Sequence, residues 1–261
     1  LGGEEDLRFY CNPAQLNFLT SYLLNPSSAA LMTQFSRISS HALFQLDFFP
    51  ELVNISGFVN RGQGTLVDTL KSFQSASMRC TELLPSNTAF YQGIGMANNG
   101  EFFNADFDLK RLHTIVDESL VLFTLESYNE ELTNRQGAVL ALRDLEYLDV
   151  LKELDASITL AAVESGMQIY SSKLGEALNK LFFTTAYFSE EVFFVKVNDL
   201  LVMSSDFTVV QQFIFAHNEA ETLRTNDYYM NFKAASASKT NLDFYLNFSH
   251  LHAYLNKVST P

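Results

Sequence analysis

The sequence predicts an α+β fold of two related ββα-β halves, each an antiparallel sheet with helices packed on one face. Three observations predict it. Short hairpins are interleaved irregularly with helices, whereas a doubly wound parallel sheet needs strict strand–helix alternation. The run Leu7-Arg8-Phe9-Tyr10-Cys11-Asn12 returns as Leu242-Asp243-Phe244-Tyr245-Leu246-Asn247, and Asn87, Phe90 and Tyr91 match Asn241, Phe244 and Tyr245. Finally, the order hairpin 41–59, helix 65–74, strand 88–96 parallels hairpin 191–205, helix 206–215, strand 242–247. The halves are expected at 1–134 and 135–261, as two domains or one continuous domain, with the boundary near Asn134-Arg135-Gln136-Gly137.

Leu7 to Cys11 reads as an aromatic strand ended by Asn12-Pro13, after which Pro13 suits the first turn of a helix bearing Leu16, Leu19 and Leu23. Asn25-Pro26-Ser27-Ser28 breaks that helix, and Ala29 to Phe35 gives a short second one. His41–Phe48 and Leu52–Val59 flank Phe49-Pro50-Glu51 as a hairpin. Thr65 reads as an N-cap, with Asp68 three residues on and Leu66, Leu70 and Phe73 at helical spacing. Thr88 to Met96 is a strand closed by Asn98-Asn99-Gly100.

From Asp108 to about Leu132 the apolar spacing predicts one long amphipathic helix, and Leu142 to Leu154 a second. Ser157 to Val163 reads as a buried strand and Ser172 to Phe182 as a helix. Two apolar runs on the two-residue turn Asn198-Asp199 form the clearest hairpin of the chain. Asp206 caps a helix through Phe215, another helix spans roughly Asp227 to Ala235, and Leu242–Asn247 is a last strand before a helical turn at His250–Leu255.

With 261 residues and 47% hydrophobic against 18% charged residues, the chain is globular and needs neither disulfide nor metal to fold. Seventeen basic against thirty acidic residues give −13, which argues against nucleic acid or anionic lipid as a partner. No apolar run approaches the ~18–20 residues that span a bilayer. The chain opens on Leu1 with no leader, and the expectation is a trimmed or processed piece of a longer protein that continues past Pro261. Cys11 and Cys80 are too few and too far apart for a zinc site or a disulfide framework, and read as two buried thiols, with a single bridge between them as the alternative.

No Gly-x-Ser-x-Gly elbow or phosphate loop occurs, and Gly62-Gln63-Gly64 reads as a turn. His250 and His252 lie two residues apart, a spacing that faces different sides of a helix. Asn104 to Asp108 is the most oxygen-rich loop, yet Asp108 is accounted for as a helix N-cap. The sequence assigns no catalytic, metal or cofactor residue, and no cofactor is expected. A cleft gathering two or more of His41, His113, His217, Asp106 and Asp108 would favour an enzyme.

Phe193–Ser205 with its Asn-Asp turn, Glu221-Thr222-Leu223, Asp227-Tyr228-Tyr229, Phe232 and Asn241–Asn247 together resemble an uncharacterised family of bacterial cell-envelope proteins. Ser39–Asp47, Asn54–Phe58 and Leu84–Ala89 are similar too, so the resemblance covers about two thirds of the chain. It departs from the family pattern in the first hairpin, where His41 or Phe44 takes the place of a Trp. The resemblance implies an extracytoplasmic domain, on the periplasmic side, of a lipoprotein or otherwise membrane-anchored protein. It further implies an anchor segment, since removed, as the sole route to the membrane, and a β-rich repetitive continuation in longer members.

The functional expectation is a non-enzymatic interaction or scaffold domain whose partner is another envelope protein, with an envelope hydrolase acting on carbohydrate or ester as the alternative. An interaction surface would expose aromatic residues. Its candidates are Tyr10, Tyr91 and Tyr245 on the repeated strands, taken as outward-facing, and the pair Tyr228-Tyr229.

Overall fold

The computed structural model describes residues 7–12, 39, 41–48, 53–60, 66–70, 73–97, 107–126, 135–143, 146–182, 184 and 187–247. The helices expected at 13–24, 29–35 and 250–255, the oxygen-rich loop 104–106 and the Asn98-Asn99-Gly100 turn lie outside them. The chain divides into two compact units, Leu1–Lys71 with Asn256–Pro261, and Ser72–Leu255. Residues 134 and 135 fall inside the second unit, between two strands that pair with each other.

In the first unit, β1 (Leu7–Cys11), β2 (Ala42–Phe48) and β3 (Val53–Val59) form an antiparallel three-stranded sheet in that order. The hairpin strands read at 41–59 are therefore present and paired, with Phe48 opposite Val53. A short helix, α1 (Leu66–Leu70), follows.

Among the described residues the second unit is one antiparallel sheet of eight strands with five helices, an α+β fold. In chain order these are β4 (Thr88–Gly95), α2 (Phe107–Ile115), β5 (Val116–Leu125), β6 (Gln136–Leu142), α3 (Tyr147–Leu154) and β7 (Thr159–Glu164). There follow β8 (Met167–Ser172), α4 (Gly175–Leu181), β9 (Val192–Val197), β10 (Leu200–Ser204), α5 (Phe207–Asn218), α6 (Asp227–Ala235) and β11 (Leu242–Leu246). The spatial order is β11-β4-β5-β6-β10-β9-β8-β7, so among the described residues β11 and β7 are the two edges. The elements grouped by the sequence as the first half are divided: hairpin 42–59 belongs to the three-stranded sheet and β4 to the eight-stranded one.

Helices cover both faces of the large sheet rather than one. Side chains alternate along a strand, and Val121, Phe123, Val139, Val195, Val202 and Tyr91 point into one cluster with Val209, Phe213 and Ile214 of α5 and Tyr229 of α6. The alternate residues Leu120, Leu122, Leu140 and Leu201 are equally buried. That second face carries Lys196, whose ammonium lies 5.2 Å over the Tyr147 ring of α3, while α2 packs on α3 and α4 and contributes buried Leu112 and Ile115. The signal is the unbroken apolar run in each central strand: Leu120–Phe123, Ala138–Leu142 and Leu200–Met203 leave no polar face to turn toward water.

The long helix expected over 108–132 is instead helix α2 followed directly by strand β5. Leu120-Val121-Leu122-Phe123 satisfies helical spacing, but it also supplies both faces of a buried strand, and pairing with β4 and β6 decides between them. Likewise Leu142 ends β6, and the helix begins only at Tyr147. The turn Asn198-Asp199 closes β9 onto β10 as read, with Asn198 at φ 56°, and the Asp206 carboxylate accepts from Thr208 N at 2.9 Å as an N-cap.

Candidate functional site

Strand β11 pairs with β4 so that one matched pair of the repeated motif, Tyr245 and Tyr91, lies directly opposite, with Asp243 across from Gly93. Tyr91 and Tyr245 stack at 5.4 Å between centroids, and Tyr229 of α6 meets Tyr245 edge-on at 5.3 Å. Phe232, one turn further along α6, packs edge-on against Tyr245 at 5.5 Å.

A polar network threads this aromatic cluster. The Tyr91 hydroxyl donates to Asp243 Oδ2 at 3.1 Å, and Lys233 Nζ donates to the same oxygen at 3.4 Å. Thr81 gives its proton to Met78 O at 2.6 Å, so the Tyr229 hydroxyl donates to Thr81 Oγ1 at 2.7 Å. Burial, then the Asp243 charge, pushes the Tyr91 phenol far above its ordinary value; burial pushes Tyr229 up to about 12. The neighbouring Cys80 thiol is driven up to about 11 by burial, against a hydrogen bond with Ser119 Oγ at 3.2 Å that works the other way. At neutral pH all three are protonated. They act as hydrogen-bond donors and apolar filler, and none is poised as a nucleophile or general base.

This placement corrects the expected interaction surface. Tyr91, Tyr229 and Tyr245 are core residues, and only Tyr10 and Tyr228 are exposed, at 66% and 69%. The physical reason lies in β11. Its apolar residues Leu242, Phe244 and Leu246 would normally turn inward, but the Lys233–Asp243 pair neutralises the charged face, which turns inward instead. Tyr10 of β1 sits opposite exposed Leu43 and stacks on His41 at 5.8 Å.

A cleft of about 580 Å³ lies beside α4, lined by Lys173, Glu176, Asn179, Lys180, Thr184 and Glu190 among others. It contains none of the five histidine and aspartate candidates. Its charges are matched within it: Lys173 pairs with Glu190 at 3.3 Å and Lys180 with Glu176 at 3.4 Å. Asn179 Oδ1 accepts from Thr184 Oγ1 and from the backbone of Tyr187 and Phe188, and its Nδ2 donates to Phe188 O at 2.8 Å, which fixes the wall. Gly175 lets α4 meet this wall, since a Cβ there would fall 1.7 Å from Ser189 O.

Of the remaining candidates, His113 closes α2 with its pKa lowered by burial and by Arg143, and His217 lies near the end of α5. Asp108 falls inside α2 by its backbone rather than before it, and Asp106 lies outside the described residues. Among the described residues no three of His, Cys, Asp and Glu converge on a metal-sized site, and no helix is long and apolar enough to cross a membrane.

The feature that sequence reasoning missed is the β7 edge. Leu160 and Val163 are exposed there at 52% and 60%, although the run had read as a buried strand. The Ser165-Gly166 turn pairs β7 with β8, and the place of β7 at the end of the strand order, which no local signal gives, leaves its other side open. No protein-family model, curated protein or solved structure matches this chain.

Proposed function

We propose that the chain is a non-enzymatic interaction or scaffold domain of a bacterial cell-envelope protein, held on the extracytoplasmic side by an anchor outside this sequence and binding another envelope protein. The observation that carries this reading is the open edge strand β7, with Thr159 to Val163 free of charge and two large apolar side chains in water. Sheets that must stay solitary blunt such edges with Lys, Pro or inward charges. The carboxylates of the cleft support the same side, since Glu190 is paired with Lys173 and Glu176 with Lys180. Fractionation of cells expressing the full gene, followed by cross-linking, tests the reading. An envelope-associated protein cross-linked through residues 159–163 is expected. A cytosolic product, or turnover in a glycosidase and esterase screen that is abolished by Glu176→Gln or Glu190→Gln, would sink it.

The pairing of Tyr91 with Tyr245 also supports an origin of β4 and β11 as copies of one ββα-β unit. Exchanging segments 87–93 and 241–247 should then leave a cooperative thermal transition, and its loss counts against the duplication.

A further inference from the structure

We propose that β7 is a self-complementary edge at which a second copy of this chain adds antiparallel about a two-fold axis, joining two eight-stranded sheets into one. This rests on the reading of the chain as an interaction module and names the occupant of its edge.

The argument begins with a bulge. Leu160 lies opposite Tyr170 and Ala162 opposite Ile169, so Ala161 is an extra residue in β7. Ile169 belongs to the core cluster on one face; Tyr170 stacks on Phe194 at 5.4 Å on the other. Leu160 therefore sits on the Tyr170 face. Val163, opposite Gln168, sits there too. In an unbulged strand, residues three apart would face opposite ways.

The two-residue turn closes on the pair Glu164–Met167, so that pair exchanges hydrogen bonds and the next one, Val163–Gln168, does not. The N–H and C=O of Val163 accordingly point outward, toward an incoming strand.

A two-fold axis through the Ala161–Ala162 bulge sets Leu160 of one copy opposite Val163 of the other, and Val163 opposite Leu160. Both pairs lie on the same face, as an isologous interface requires. The small alanines at the axis let the backbones approach. Charge selects this arrangement. Glu164 is the single ionisable residue of β7; it falls opposite Thr159 of the second copy, whereas a parallel in-register pairing would set Glu164 beside Glu164. Within its own chain Glu164 Oε2 already accepts from Gln211 Nε2 at 2.7 Å, so it needs no counter-charge from the partner. Each copy carries −13, so the association strengthens with salt as long-range repulsion is screened.

Sedimentation equilibrium and register-specific cross-linking test this. The chain should sediment at twice 29.4 kDa, more completely at higher salt, and Val163→Lys should return it to the monomer mass while keeping its circular dichroism and thermal midpoint. In a Cys11→Ser background, Leu160→Cys mixed with Val163→Cys should form an intermolecular disulfide at least about tenfold more than either variant alone. A chain monomeric at all concentrations and salts overturns the proposal. So does a dimer unaffected by Val163→Lys, or equal cross-linking of the single variants. If the chain is monomeric but Val163→Lys abolishes cross-linking to a different envelope protein, the dimer is wrong and the interaction reading stands.

Discussion

The two edges of the eight-stranded sheet are both short strands of largely apolar composition, and they behave in opposite ways. β11 turns an aspartate inward, neutralises it with Lys233, hydrogen-bonds it to the Tyr91 hydroxyl, and anchors itself through three tyrosines in mutual contact, one pair stacked and the others edge-on. β7 has no such buried anchor: its side chains are mostly exposed, and beyond the β8 ladder it is held by Ala162 against the core cluster and by the Glu164–Gln211 hydrogen bond. The difference teaches that an edge strand can be secured from within by a buried polar network or left available for pairing. Inward charge is itself a barrier to edge-to-edge association.

The largest effect should come from breaking the secured end. Tyr91→Ala removes a fully buried ring between two others and is expected to cost about 3–5 kcal/mol, read as a fall in urea midpoint at unchanged slope. A cost below about 1 kcal/mol would mean that β11 is not held by this cluster.

Alkaline pH should loosen the same end. Cys80 has an ordinary value of 9.0 and a folded value of about 11. Below pH 9 both states keep the proton and nothing changes. Above it the unfolded chain ionises first, so stability falls as pH rises toward 11, by on the order of 3 kcal/mol. Unfolding free energies measured at about pH 8.5 and about pH 10.5 should therefore differ more in the parent than in Cys80→Ala, with the buried tyrosines supplying the residual slope. Equal slopes would exclude the thiol.

The smallest effect belongs to the open end. Leu160→Ala should change monomer stability by no more than about 0.5 kcal/mol in thermal or urea unfolding, because the side chain already spends half its surface in water. A cost as large as that of Tyr91→Ala would erase the distinction between the edges.

What was legible in the sequence follows the locality of the physics. Asn198-Asp199 and Asp206 act on residues two or three positions away, so the hairpin and the helix cap could be read directly. β5 could not, because Leu120–Phe123 suits either period and only its neighbours β4 and β6 decide. The tyrosines failed for another reason. Alternation along β11 tells that Asp243 and Tyr245 share a face, but which face is core depends on Lys233, ten residues away on α6, and on Tyr91, at a separation of 152 from Asp243. The β7 edge failed similarly, since Thr159–Val163 is apolar enough for a core strand and its exposure reflects its place in the strand order.

The pairing of β4 with β11 also sets an order of events during synthesis. β4 is complete about 150 residues before its outer partner β11 exists, a span comparable to the 152 that separates the Tyr91–Asp243 bond. Until residue 246 has left the ribosome, that flank of the sheet presents unpaired backbone, and Tyr91 and Tyr229 lack the Tyr245 ring that packs against both. Closing so long a loop is entropically slow. The nascent chain is thus most prone to wrong strand pairing at its best-secured end, and that is where a holding chaperone would act.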